Sequence, residues 1–160
     1  MMRNAFFKGL IFISTVLTNV SCSHKEIFFE YHSFANDEWK RSDTAVFYVK
    51  IEDKSQPYDV SVELRHNDDY PFSNIYMFVD YKTPDGKTFT NLVKDEELAD
   101  IYGKWNGKGL SLYNRSIMYQ SAILFPDTGT YVYSVRQGMR IDPLKGISDV
   151  GLKVSKKLNK

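Results

Sequence analysis

The chain has 160 residues, of which 42% are hydrophobic, 15% aromatic and 26% charged, enough to bury one core and too few for two full domains. Its 21 basic and 20 acidic residues balance at +1, which gives no field to hold a polyanion, so nucleic acid is excluded as a partner class. Three histidines and one cysteine would all have to converge to make an ordinary four-ligand zinc site, and neither a metal nor another cofactor is expected.

The chain opens with Arg3 and Lys8 and no acid before Gly9, followed by an uncharged, mostly apolar run from Gly9 to Leu17. That is the pattern of a secretory signal peptide, read here over residues 1–21. A membrane span needs about 20 apolar residues, and this run reaches Thr18, Asn19, Ser21 and Cys22 too soon. Cys22, the one cysteine, follows the small residue Ser21 and so resembles the lipobox of bacterial lipoproteins. Asn19 departs from that motif, which has an aliphatic residue three positions before the cysteine. The resemblance implies cleavage before Cys22, a diacylglycerol on its thiol, and a further acyl chain such as palmitate on the new amine. Two hydrophobic signals already anchor stably, at about 0.8 kcal/mol per buried CH₂, so three chains hold the protein permanently. With Cys22 lipidated, no thiol remains for a disulfide, and packing alone must hold the core. Residues 22–26 read as the lipidated tether and 27–160 as a single β-sandwich domain. Lys25, Glu26 and Glu30 make no clear acidic tag for surface export, which favours the outer membrane, facing the periplasm.

Short strands follow in order. Ile27–His32 forms the first, and Thr44–Ile51 is more continuously apolar than an alternating strand, as expected of a central strand covered on both faces. Tyr58, Val60, Val62 and Leu64 alternate with Asp59, Ser61, Glu63 and Arg65, the period of a half-buried strand. Ile75–Tyr81 reads as a second central strand, and Pro84-Asp85-Gly86 supplies the turn of a hairpin from about Ile75 to Val93. One short helix is predicted near 95–102, with Asp95 as cap, Glu96 and Glu97 in its first turn, an apolar stripe of Leu98, Ile101 and Tyr102, and Gly103 as terminator. The connection from Lys94 to Ser116 exceeds the usual length of about 4 to 6 residues and is a candidate functional loop. Ile117–Phe125, the alternating row Tyr131, Tyr133 and Val135, and the row Val150, Leu152 and Val154 complete about eight strands. The fold class is therefore all-β: a two-sheet antiparallel β-sandwich, jelly-roll or Ig-like, with a closed barrel as the alternative.

Catalytic signals are weak. His24, His32 and His66 show no metal-ligand spacing, and His66-Asn67-Asp68-Asp69 reads as a solvated turn. No Gly-x-Ser-x-Gly elbow exists, and Gly103-Lys104-Trp105-Asn106-Gly107-Lys108-Gly109 lacks the spacing and hydroxyl of a phosphate loop. No catalytic residue, enzymatic activity or small-molecule substrate is expected. In the glycine-rich segment, Trp105 either packs as a lid or docks a partner, with Lys104 and Lys108 beside it, since tryptophan is enriched at interface hot spots. Gln137, Arg140 and Asp142 form a second polar set, in which Arg140 pairs locally with Asp142 or belongs to a docking surface. Candidate partner-binding residues are thus Trp105, Lys104, Lys108, Arg140 and Gln137. A carbohydrate-binding sandwich is the alternative, resting on eleven tyrosines with Trp39 and Trp105.

Three ordered blocks carry a family resemblance. They are Arg65-His66-Asn67 with Tyr70-Pro71-Phe72-Ser73-Asn74-Ile75-Tyr76; Leu98-Ala99-Asp100 leading into Gly103 to Gly109; and Gly129-Thr130-Tyr131 through Gln137-Gly138-Met139-Arg140, Asp142-Pro143-Leu144, Gly146-Ile147 and Asp149-Val150-Gly151-Leu152. Together they resemble the gliding-motility lipoprotein family GldH of the Bacteroidetes. The resemblance implies an exported lipoprotein needed for gliding, linked to the machinery that secretes proteins to the cell surface and acting through protein partners. It implies no established enzymatic activity, and it carries over one site, the lipidated Cys22.

Overall fold

A computed structural model describes residues 24–157, with the side chains of 24 and 91–94 left aside. The signal peptide expected over residues 1–21 and the lipidation expected at Cys22 fall outside the described residues. Ten strands form among them: β1 His24–Ser33, β2 Glu38–Trp39, β3 Ala45–Ile51, β4 Tyr58–Asn67, β5 Asn74–Lys82, β6 Thr88–Glu97, β7 Leu112–Ile123, β8 Gly129–Gln137, β9 Leu144–Lys145 and β10 Ile147–Lys157. Two four-stranded sheets run β1-β10-β4-β7 and β3-β8-β5-β6, with β2 and β9 as a small third pair. Every ladder is antiparallel.

The pairing is that of one long hairpin rolled up. Of the eight long strands, the first pairs with the last, the second with the next to last, β4 with β7, and β5 with β6. That winding is a jelly roll, which resolves the expected sandwich into one of its two forms. Rows of period two face the core as expected: Tyr131, Tyr133 and Val135 from β8, and Val150, Leu152 and Val154 from β10, all buried with Val60, Val62 and Leu64 of β4.

Two strands exchange their expected environments. Thr44–Ile51 is not central: β3 is a sheet edge, its burial alternates strictly, and Val46 and Tyr48 are exposed. Strand β4, which reads as half-buried, lies between β10 and β7 and buries its polar row as well. On that outer row the Glu63 carboxylate accepts hydroxyl bonds from Ser61 and Ser116, both 2.7 Å, and meets the Lys153 ammonium at 2.8 Å. Gly151 allows the cover beside it, because a Cβ there would lie 2.7 Å from the Tyr31 ring. The Arg65 guanidinium then stacks over Tyr31 at 3.8 Å.

The helix expected near 95–102 does not form. Glu96 and Glu97 stay in β6, opposite Ile75 and Asn74, and Asp95 bulges out of the ladder with φ 42°. The N–H groups of Leu98 and Ala99 both go to the Ser73 carbonyl, and Gly103 N–H closes a turn onto Asp100 O at 3.0 Å. Strand β1 also begins earlier than Ile27, because residues 24–26 already pair with 155–157 of β10. The expected tether is shorter by those residues.

The winding sorts the connections. Strands alternate in direction, so residues 52–57, 83–87 and 124–128 gather beside His24, whereas 34–44, 68–73, 98–111 and 138–146 gather at the opposite end. Ten residues of β4 separate the two ends, about 33 Å at roughly 3.3 Å per residue.

Candidate functional site

All five candidate docking residues stand at the end remote from His24. Lys104, Trp105 and Lys108 lie in the β6–β7 connection, and Gln137 and Arg140 lie where β8 gives way to the β8–β9 connection. In strand order the β4–β5 connection stands between the two groups.

That end is tied together by backbone and side-chain bonds between loops. Asn67 receives the first tie: its N–H donates to Gly146 O at 2.9 Å while its amide donates to the Asp37 carboxylate at 3.0 Å. Gly146 holds φ +78°, and a Cβ there would sit 2.3 Å from the Tyr70 nitrogen. Asn106 N–H donates to Leu98 O at 2.8 Å, and the Arg41 guanidinium donates to the carbonyls of Met139 and Arg140 at 3.0 and 3.2 Å.

Trp105 is a lid. Its indole N–H donates to the Asp68 carboxylate at 2.9 Å, and its ring meets His66 edge-on at 4.6 Å. His66 is wholly buried, not a solvated turn residue, and packs also against Tyr70 and Tyr113. Its Nδ1 lies 3.3 Å from Asn67 O, while Nε2 has no hydrogen-bond partner among the described residues. Burial pushes the imidazole below its ordinary 6.5, against smaller raising effects of the Asn67 carbonyl and Asp68.

Gln137, the candidate that leads into the β8–β9 connection, is held inward. It is buried, its Oε1 accepts Met139 N–H at 2.8 Å, and its Nε2 donates to Ile141 O at 3.1 Å, so it holds its own turn. Asp142 does not pair with Arg140 but accepts the backbone N–H of Arg41 at 2.8 Å. Lys104, Lys108 and Arg140 are exposed. Trp39 is fully buried against Phe34, so of the two indoles that the carbohydrate alternative draws on this one offers no open face, while Trp105 is half-buried.

The feature missed in the sequence is a tip of bare apolar side chains. Ile101, Tyr102 and Leu110 are 91%, 88% and 94% exposed, in the same connection as Lys104 and Lys108. A sequence signal existed: Asp100 and Gly103 bracket Ile101 and Tyr102 as the first and fourth residues of a β-turn. The Asp100 carboxylate fixes it, accepting N–H bonds from Tyr102 at 2.9 Å and Lys104 at 3.0 Å. Among the described residues, no group of three or more His, Asp or Glu stands close enough to hold a metal ion.

The family of GldH lipoproteins matches residues 26–154. The chain belongs to the GldH lipoprotein family. A GldH homolog of Christiangramia forsetii, a gliding motility lipoprotein by name, is 31% identical over 166 residues, covering 99% of this chain and all of that one. The gliding motility lipoprotein GldH of Flavobacterium johnsoniae is 28% identical over 157 residues, covering 93% of this chain and 96% of that one. The three blocks that carry the GldH resemblance meet at the end remote from His24: Asn67 and Tyr70, Leu98 to Gly109, and Gln137 to Gly146.

Proposed function

We propose that this GldH-family lipoprotein is a two-ended adaptor: acyl chains on Cys22 hold one end to the outer membrane, and the other end docks a protein of the gliding and surface-secretion machinery. It is a gliding-related lipoprotein, anchored to the cell envelope by lipid. Cys22 stands two residues before β1, a reach of at most about 7 Å, so the domain rests on the bilayer and projects its other end about 33 Å away.

The observation that carries the docking reading is the position of Ile101, Tyr102 and Leu110, nearly fully exposed at that far end. Apolar tips flanked by Lys104 and Lys108 suit a partner surface with an apolar centre and an acidic rim. Arg140, exposed in the β8–β9 connection on the other side of the β4–β5 connection, adds a third cation at that end. The role is binding, with the lipid supplying location and the tip supplying choice of partner.

Substituting Ile101, Tyr102 and Leu110 together by Asp tests it. Exposed positions change stability by only about 0.5 kcal/mol each, so abundance and thermal midpoint should hold while spreading motility or surface secretion is lost. Normal motility and secretion in that variant would remove the docking role.

A further inference from the structure

Leu124 is 64% exposed and Phe89 43%, and both line one cleft between the β5–β6 hairpin and the β7–β8 connection. Backbone register fixes the height at which Leu124 stands. Across the β1-β10-β4-β7 sheet, Lys25 lies opposite Lys156, Lys156 opposite Tyr58, and Tyr58 opposite Ile123. Leu124, the next residue after Ile123, therefore leaves the sheet on the level of His24. Three strand spacings separate the two, about 14 Å across the end of the sheet.

The chain that precedes His24 says what meets that level. Cys22 stands two residues earlier, and acyl chains on it would hold this end within about 7 Å of the bilayer. An upright domain then leaves less than the diameter of a helix, about 10–12 Å, between Leu124 and the headgroups. No folded partner protein fits in that gap. The charges of this end suit a headgroup layer as well. Lys50 holds Glu52 at 2.9 Å, Lys87 holds Asp85 at 2.8 Å, and Lys54 holds Asp127 at 3.3 Å. These three carboxylates are neutralised in place, and each ammonium keeps further N–H donors for a lipid phosphate.

We propose that Leu124 is a second membrane contact, inserted at the boundary between headgroups and acyl chains, with Phe89 behind it and Lys54 and Lys87 at the level of the phosphates. The partner is a phospholipid surface, and the contact rests on the lipid-anchor reading of Cys22. One acylated residue on a two-residue link is a pivot about which the domain tilts freely. A second contact about 14 Å away restrains that tilt and keeps the tip of Tyr102 and Leu110 clear of the lipid. The anchor already confines this end to the surface, so the contact costs little further translational freedom. One leucine backed by one aromatic ring then suffices, where a free domain would need a broad apolar face.

The test puts one thiol into the full mature lipoprotein, by Leu124→Cys at this end or Leu110→Cys at the other, and couples it to the fluorophore NBD through a maleimide. Both positions are exposed, so neither change disturbs the core. An acylated Cys22 does not react, and the chain has no other cysteine, so each variant should take one label and the parent none. The labelled chains are placed in vesicles of phosphatidylethanolamine and phosphatidylglycerol, with and without lipids that carry a nitroxide on the acyl chain near the headgroup. An inserted side chain lies about 5–10 Å into the interface while Leu110 stands about 33 Å off, so the label at 124 should be quenched about threefold more than the label at 110. It should also emit at shorter wavelength. Equal quenching at both ends overturns the proposal. A blue-shifted label at 124 that nitroxide lipid leaves unquenched also overturns it, assigning the site to a second copy of the chain. A parent that takes a label has a free Cys22 and removes the anchor and the contact together, whereas an unlabelled parent with equal quenching removes the contact alone.

Discussion

His66 is the residue on which the far end's packing converges, and it makes that end sensitive to acid. Its folded-state affinity for a proton is reduced by burial below the ordinary 6.5. As pH falls, the unfolded chain therefore takes up this proton first, so the contribution of His66 to stability is full above about 6.5 and is lost as pH drops toward the depressed folded value. Thermal midpoints from pH 7.5 to 5 should fall through this window, and the slope should flatten in His66→Phe, which keeps a ring among Trp105, Tyr70 and Tyr113. An unchanged slope would assign the acid sensitivity to other groups. Trp105→Ala removes the lid and the Asp68 bond together. We expect a loss of about 2 kcal/mol, less than the 3–5 of a fully buried indole, and a His66 titration by NMR that returns toward 6.5. Trp105 was legible as lid or anchor, since an indole in a glycine-rich loop suits both. Its meeting with Asp68, 37 residues away, is long-range and was not legible in the segment.

At the scale of the element, local chemistry was legible where period and turn residues agreed. The rows ending at Val135 and Val154 read correctly because both alternate and both face the core. Strands β3 and β4 exchanged roles because whether an outer row is covered depends on the strand's neighbours, and neighbours come from winding rather than from the segment itself. Tyr48 on an edge and Glu63 under Lys153 are the two sides of that rule. The 95–102 helix failed for a related reason: Asp95, Asp100 and Gly103 serve caps and turns equally, and the Ser73 carbonyl claims the Leu98 and Ala99 N–H groups first. Two glycines probe these turns. Gly146→Ala forces a Cβ against the Tyr70 backbone and should cost about 2 kcal/mol or more. Gly103→Ala meets nothing within 4 Å and should cost only its left-handed φ, about 1 kcal/mol. Chemical denaturation of both variants checks the order; equal losses would mean that the Gly146 contact gives way freely.

Over the whole molecule, the jelly roll converts chain order into two addresses. Both termini of the described chain lie at one end, because the first and last strands pair from His24 to Lys157. The connections of the three GldH-like blocks lie at the other. The class of fold could be read from periodicity. The common end of Lys104, Arg140 and Tyr102 could not, because it follows from which strand runs in which direction. A photo-crosslinking amino acid at Tyr102, in cells, tests the two-ended arrangement most directly, with a second probe at the exposed Lys87 of the opposite end as comparison. The account predicts one protein adduct from Tyr102, absent from the Lys87 probe and lost when Ile101 and Leu110 become Asp. Lipid adducts from Tyr102, or the same protein captured equally from both ends, would contradict it.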